Sequence, residues 1–265
     1  MFQLEFMQNA FIAGIIVSIL CPTVGLFIVL RRNSMLGDTL SHSSFAGVAI
    51  GLVFGINPLL SAFVFTTVCA IIIELLRGYF KKYAELVMSI VLTFSLGLAI
   101  ILISTGKASG KVNSILFGSI LTVSKEDLVI IAIAGLVTLS ILAIIYNKLI
   151  YVTFDEEGAK TAGINVKLIN YLFTILVGAT ISLSIKIMGI LVISSIIVVP
   201  VASAMQLKLN FKKTLLLSIT IGLIDILLGL VLAYYCNSAA GGTIAITSVT
   251  ILIITLIFSR FKIGD

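Results

Sequence analysis

Residues 11–42 read FIAGIIVSILCPTVGLFIVLRRNSMLGDTLSH. The run from Phe11 to Leu30 carries no charge and stops at Arg31-Arg32, after which a second apolar stretch opens on Gly37-Asp38-Thr39. A helix of about twenty residues is about 30 Å long, the thickness of a bilayer's hydrocarbon core. The first run therefore reads as a membrane span, and the arginine pair marks where the chain leaves the lipid. No basic flank precedes this run, and it is long for a secretory leader, so a cleavable signal peptide is not expected. Asp38 and His42 stand four apart, on one face of a helix, and His42 is the single histidine of the chain. A carboxylate and an imidazole aimed the same way in an apolar scaffold can hold a proton, a hydroxyl or a cation.

Working outward, the whole chain repeats this pattern. Hydrophobic residues make up 60% of it and charged residues 11%, too few polar groups to coat a soluble domain. The expectation is an all-α, polytopic membrane protein, 1–265 forming one transmembrane domain. Spans are predicted near 9–30, 39–54, 58–76, 86–104, 126–147, 168–185, 187–206, 213–235 and 243–259. That makes about nine transmembrane helices, or eight if 168–185 and 187–206 merge into one irregular unit. The piece 112–123 is too short to span and reads as an outer-face or re-entrant helix.

A net charge of +6 invites a nucleic-acid reading, but the basic residues lie in short clusters between apolar runs, a pattern that reports orientation in the lipid bilayer. With the N-terminus outside, the cytoplasmic segments hold Arg31, Arg32, Arg77, Lys81, Lys82, Lys148, Lys160, Lys167, Lys208, Lys212, Lys213, Arg260 and Lys262. The outer side keeps Lys107, Lys111, Lys125 and Lys186. The positive-inside rule favours this arrangement, and nine spans then place the C-terminus in the cytoplasm. Cys21, Cys69 and Cys236 show no CxxC spacing, so neither a zinc cluster nor a disulfide is implied, and Cys21 and Cys69 read as small buried hydrophobes.

The longest cytoplasmic segment, residues 151–165, reads YVTFDEEGAKTAGIN. Asp155 suits a helix cap, Glu156 and Glu157 suit the positive end of the helix dipole, and Gly163 suits its end. Two readings stand: a solvated linker, or a docking helix near 154–165 for a cytoplasmic partner. No nucleotide-binding loop occurs, so any energy from ATP must come from another subunit.

Several segments together resemble the permeases of bacterial metal-ion ABC importers, the zinc and manganese group. They are Gly25-Leu26-Phe27-Ile28-Val29-Leu30-Arg31-Arg32, Leu36-Gly37-Asp38-Thr39-Leu40-Ser41-His42, Ile115-Leu116-Phe117-Gly118, Phe154-Asp155-Glu156-Glu157 with Ala162-Gly163-Ile164, Met188-Gly189-Ile190, Val199-Pro200-Val201-Ala202, and Tyr234-Tyr235 with Gly241-Gly242-Thr243. They span nearly the whole chain in the expected order. Tyr83-Ala84-Glu85-Leu86 is closer to the zinc type. The resemblance implies a smaller relative of the cobalamin-importer permease fold in a bacterial cell membrane. It implies pairing with a second protomer, a homodimer by expectation, and two cytoplasmic ATPase subunits carrying ATP. It further implies an extracytoplasmic binding protein that delivers a divalent metal, zinc favoured over manganese or iron. No cofactor would be permanently bound. Asp38 and His42 would form a transient metal site, and Asp155, Glu156, Glu157 and Gly163 would belong to the coupling helix that meets the ATPase.

Each residue also has a plain structural reading. Gly37-Asp38-Thr39 before an apolar run is a good N-cap arrangement, and His42 could donate to a backbone carbonyl. Glu74, one turn before Arg77, reads as its ion-pair partner. Asp225 lies deep in an apolar run and either works in transport or bonds hydroxyls on a neighbouring helix. Pro200 either only kinks its helix or marks a gate or bend that moves. The functional alternative is a secondary transporter coupled to protons or sodium through Asp38, Glu74 and Asp225. An intramembrane enzyme is disfavoured, because one histidine and no nucleophile–base spacing leave little to catalyse with.

Overall fold

The computed structural model describes residues 5–80, 83–105, 116–118 and 124–263. Its helices are α1 (Glu5–Leu30), α2 (Met35–Phe54), α3 (Pro58–Tyr79), α4 (Ala84–Ser104), α5 (Lys125–Phe154), α6 (Glu156–Thr161), α7 (Val166–Met188), α8 (Ile190–Met205), α9 (Phe211–Cys236) and α10 (Ala240–Ile263). The described residues contain no strand. Among the described residues seven helices are long and apolar enough to cross a membrane: α1, α3, α4, α5, α7, α9 and α10. The sequence expectation of nine exceeds that number because α2 is rich in Ser, Thr, Asp and His and α8 has only 16 residues. The expected helix at 112–123 lies largely outside the described residues.

Boundaries follow local chemistry. Asn57 caps α3 by accepting from the Leu59 and Leu60 amides, with Pro58 at the first helical position, where a missing N–H costs nothing. Asn210 caps α9 by accepting from the Lys213 amide at 3.0 Å. Between α7 and α8 stands Gly189 at φ +75°, a conformation other residues avoid, and a Cβ there would strike the backbone of Phe117. The two runs 168–185 and 187–206 are thus separate helices divided at one glycine.

The chain forms two compact units that alternate along the sequence. One comprises Met1–Val29, Asn113–Ile133 and Ser184–Asp265; the other comprises Leu30–Val112 and Ala134–Leu183. In the first unit, α1 buries Met7, Ala10, Ala13, Val17, Leu20 and Val24, a stripe at three- and four-residue spacing. Lipid gives no hydrophobic drive between helices, so close packing must hold them, and small residues allow it. Gly25 of α1 sits against the Ile197 backbone of α8, and Gly229 of α9 sits where a Cβ would be 2.6 Å from Ile244 Cα of α10. In the second unit Gly47 of α2 does the same, with Ala62 Cα of α3 at 2.6 Å. Cys21 and Cys69 are buried, and all three cysteines are free.

Candidate metal-pathway site

Helix α2 starts a turn earlier than expected. Arg32, at φ +55°, turns the chain, and the Leu36 amide bonds the Asn33 carbonyl at 2.9 Å. Ser34 holds the cap position without a side-chain bond. Asp38 is therefore the fourth residue inside the helix, and the N-cap reading of Asp38 is overturned. Its charge still lies in the first turn, where the helix dipole favours it.

One turn on, His42 Nε2 stands 3.7 Å from Asp38 Oδ1, too far for a hydrogen bond. The Asp38 side chain is 52% exposed and that of His42 is 19% exposed. His42 Nδ1 is buried with no partner. Two ligands of one tetrahedral ion, each at roughly 2 Å, lie a little over ~3 Å apart, so a small side-chain rotation would let both donors reach one cation. Among the described residues no group of three or more His, Cys, Asp or Glu is placed to hold a metal. Two ligands per chain make a weak site, which suits an ion that must be released.

The serines flanking His42 are satisfied. Ser41 Oγ donates to the Gly37 carbonyl at 2.7 Å and Ser43 Oγ to the Thr39 carbonyl at 2.9 Å. Ser43 also meets Ser95 Oγ of α4 at 3.0 Å, and Ser44 meets Ser182 Oγ of α7 at 3.3 Å. These hydroxyls bond back to their own helix or across to a neighbour, as polar groups in a bundle must. Sequence reasoning passed over them; the run Ser41-His42-Ser43-Ser44 was the available signal.

Near the end of α3, Arg77 Nη1 pairs with Glu74 Oε1 at 3.1 Å, as the spacing suggested. Thr174 Oγ1 donates to the same oxygen at 2.6 Å, and Arg77 Nη2 donates to Asn33 Oδ1 at 2.9 Å. Helix α6 lies where the docking helix was expected. Asp155 Oδ1 accepts from the Gly158 amide at 2.8 Å, and Lys160 pairs with Glu156 at 3.1 Å and Glu157 at 2.8 Å. At its end Gly163, φ +80°, donates to the Lys160 carbonyl while the Ile164 amide reaches Ala159, a Schellman closure that needs a left-handed residue.

Asp225 lies in the other unit, fully buried. Ser248 Oγ of α10 donates to its Oδ2 at 2.6 Å, while Oδ1 has no partner. The carboxylate joins α9 to α10, the hydroxyl-bonded arrangement among the two readings. Pro200 sits within α8, and Pro22, which the sequence reading did not single out, sits within α1. Both approach Gly222 of α9, whose absent Cβ would lie 2.9 Å from Pro22 Cγ and 3.8 Å from Pro200 Cβ. Pro22 was legible as a proline within an apolar run, but its meeting with Pro200 depends on packing.

Among the described residues, helices long and apolar enough to cross a membrane, a hydroxyl-bearing helix and a short capped helix between spans are the parts of a polytopic membrane protein. The chain belongs to the ABC 3 transport family, whose model matches residues 3–259. It is similar to the "Probable metal transport system membrane protein" of Treponema pallidum, 44% identical over 98% of each chain. It is also similar to the manganese import system permease protein ScaB of Streptococcus gordonii, 33% identical over 95% of this chain and 90% of that one. The high-affinity zinc uptake system membrane protein ZnuB of Buchnera aphidicola is 31% identical over 98% of this chain and 100% of that one. Among solved structures, PsaBC from Streptococcus pneumoniae in complex with Fab matches with a TM-score of 0.85 and 33% identity. That match covers 95% of this chain and 91% of that chain.

Proposed function

We propose that this chain is the permease of an ATP-driven importer that carries a divalent transition metal into the cytoplasm. Zinc is the first candidate, with manganese and iron as alternatives. Relatives named for zinc and for manganese both support a divalent cation. The observation that carries the reading is the open pair on α2: Asp38 and His42 one turn apart, not bonded to each other, with a buried imidazole nitrogen lacking any partner. Carboxylate oxygen and neutral imidazole accept zinc and, with lower affinity, manganese. A second protomer, making a homodimer, would bring two such pairs to one pathway. Nine spans, with α2 and α8 as the polar and short members, put the termini on opposite sides, and the basic clusters favour the N-terminus outside and the C-terminus inside. Helix α6, with Asp155, Glu156, Glu157 and Gly163, is then the cytoplasmic contact with two ATPase subunits, and an extracytoplasmic protein delivers the ion. Pro22, Pro200 and Gly222 meet where α1, α8 and α9 would bend during transport.

The proton- or sodium-coupled alternative draws less support, because Glu74 is held by Arg77 and Thr174 and Asp225 by Ser248. The test measures accumulation of zinc, manganese and iron in cells lacking the gene and in cells regaining it. Asp38→Asn and His42→Ala should each cut restored uptake at least about tenfold at normal permease levels. Full uptake in both variants would remove the metal role of the pair.

A further inference from the structure

At the ends of α1, α3, α5 and α7 the second unit holds a cleft of about 1080 Å³ whose lining includes Glu156, Glu157 and Lys160 of α6, and the transport reading gives no role there to Arg31 or Lys167. Arg31 forms its floor. The Arg31 Nε donates to Thr153 Oγ1 at 3.0 Å and Nη1 to Asn170 Oδ1 at 2.9 Å, and the guanidinium stacks 5.0 Å above the Phe173 ring. Both hydrogen-bond partners are neutral, and Nη2 is buried with none. Burial holds the Arg31 pKa down at about 10, so the group remains a cation at neutral pH. The acids in the lining are already engaged: Glu74 by Arg77 and Thr174, Glu156 and Glu157 by Lys160. Lys167 lines the same cleft. Glu74 and Glu156 act on the Arg31 charge at a distance but leave its Nη2 unbonded, and a buried donor without an acceptor costs more than an ordinary hydrogen bond returns, so the site calls for an anionic acceptor.

The rim identifies the kind of anion. Tyr79 is 84% exposed and Phe154 is 64% exposed, with Phe80 beside them, and all three line the cleft where spans end. Exposed aromatic rings at helix ends sit at headgroup level in a bilayer, and basic pockets between helices there take anionic headgroups. We propose that this cleft binds the phosphate of an anionic phospholipid, with Arg31 Nη2 and Lys167 as donors and Tyr79, Phe80 and Phe154 as the interfacial rim. The inner-leaflet side rests on the orientation proposed above; lipid binding itself does not.

The experiment uses the full-length permease in nanodiscs of phosphatidylcholine with a minority of phosphatidylglycerol. Lipids retained on gentle extraction are counted by native mass spectrometry. Wild type should retain phosphatidylglycerol at least about fivefold above its share, and Arg31→Met should lose that preference. Lys167→Gln, an exposed position outside the Arg31 hydrogen bonds, should reduce the preference with unchanged thermal unfolding, so the outcome does not depend on Arg31→Met folding. Excess inorganic phosphate should compete only weakly. Equal retention of both lipids by wild type overturns the proposal. So does full competition by phosphate, which would make the site one for a free anion. A third overturning result is ATPase association that depends on Arg31 while lipid retention does not. Metal uptake is not read, so failure here and failure of the transport reading remain distinct.

Discussion

Helices α2 and α9 use the same packing device and treat their acids in opposite ways. Each is drawn against a neighbour through glycine, Gly47 of α2 onto Ala62 and Gly229 of α9 onto Ile244. On α9, Asp225 is fully buried, with a hydroxyl on Oδ2 at 2.6 Å and no partner on Oδ1. On α2, Asp38 is half exposed, its neighbour His42 stands at 3.7 Å, and the serines around it bond elsewhere. An intramembrane acid with a donor at its own level becomes a link between helices. Without one its oxygens stay open, and the proposed function uses them for the passing metal. The difference lies in what faces the carboxylate, and the acid's depth in the sequence does not report it.

The largest expected effect tests the shared part. Gly229→Ala and Gly47→Ala each place a methyl 2.6 Å from a backbone Cα, which no side-chain rotation relieves. Both should lose about 1–3 kcal/mol or more of stability, seen as lower folded yield and an earlier unfolding midpoint in detergent. A tolerated Gly47→Ala with a damaging Gly229→Ala would show that α2 is the looser helix and break the comparison. Gly97→Ala, with open space around a mid-helix glycine, is the control expected to hold or slightly raise stability.

Next comes the pair that sharpens it. Ser248→Ala leaves a buried carboxylate without its donor and should cost about 1–3 kcal/mol. Asp38→Asn, at a half-exposed position bonded to nothing, should change stability by less than about 0.5 kcal/mol while uptake falls. Thermal unfolding of both variants, set beside uptake, separates an acid that holds helices together from one that serves passage.

Most spans were legible because lipid demands long apolar runs, and the basic pairs punctuate them plainly. The start of α2 was not. It depends on Arg32 adopting a left-handed turn, which no propensity at Gly37-Asp38-Thr39 reveals, so a sound capping motif lost to the turn before it. The α6 cap was readable, because Asp155 and Gly163 act within one short segment and need no tertiary partner. Ser248 was not readable as the partner of Asp225, since the two lie on different helices and many hydroxyls compete. The same holds for Arg31: its charge was visible as an orientation mark, but its spare donor and cleft come from α5 and α7 folding around it.

A smaller effect is expected at α6, which has six residues and cannot be stable as an isolated helix. Asp155→Ala removes the bond to the Gly158 amide and should cost about 1 kcal/mol locally. Under the proposed function it also weakens co-purification of the ATPase, and charge reversal of Asp155, Glu156 and Glu157 together weakens it further. Unchanged co-purification with the triple variant would remove α6 as the contact.

The smallest effect belongs to Lys160. Its ammonium pairs with Glu157 and then Glu156, and those contacts hold its pKa above the ordinary lysine value. A raised pKa on a base means that its stabilising contribution is complete below that ordinary value and is lost as pH rises through the higher folded one. No part of that window falls between about pH 6 and pH 9, where lysine is charged in both states. The side chain is 47% exposed, so water and salt screen the pair. Lys160→Met should therefore unfold at the wild-type midpoint throughout that range. If it instead weakened the ATPase contact more than Asp155→Ala does, the charges of α6 would matter more to docking than its capped shape, and α6 would be read by its electrostatics.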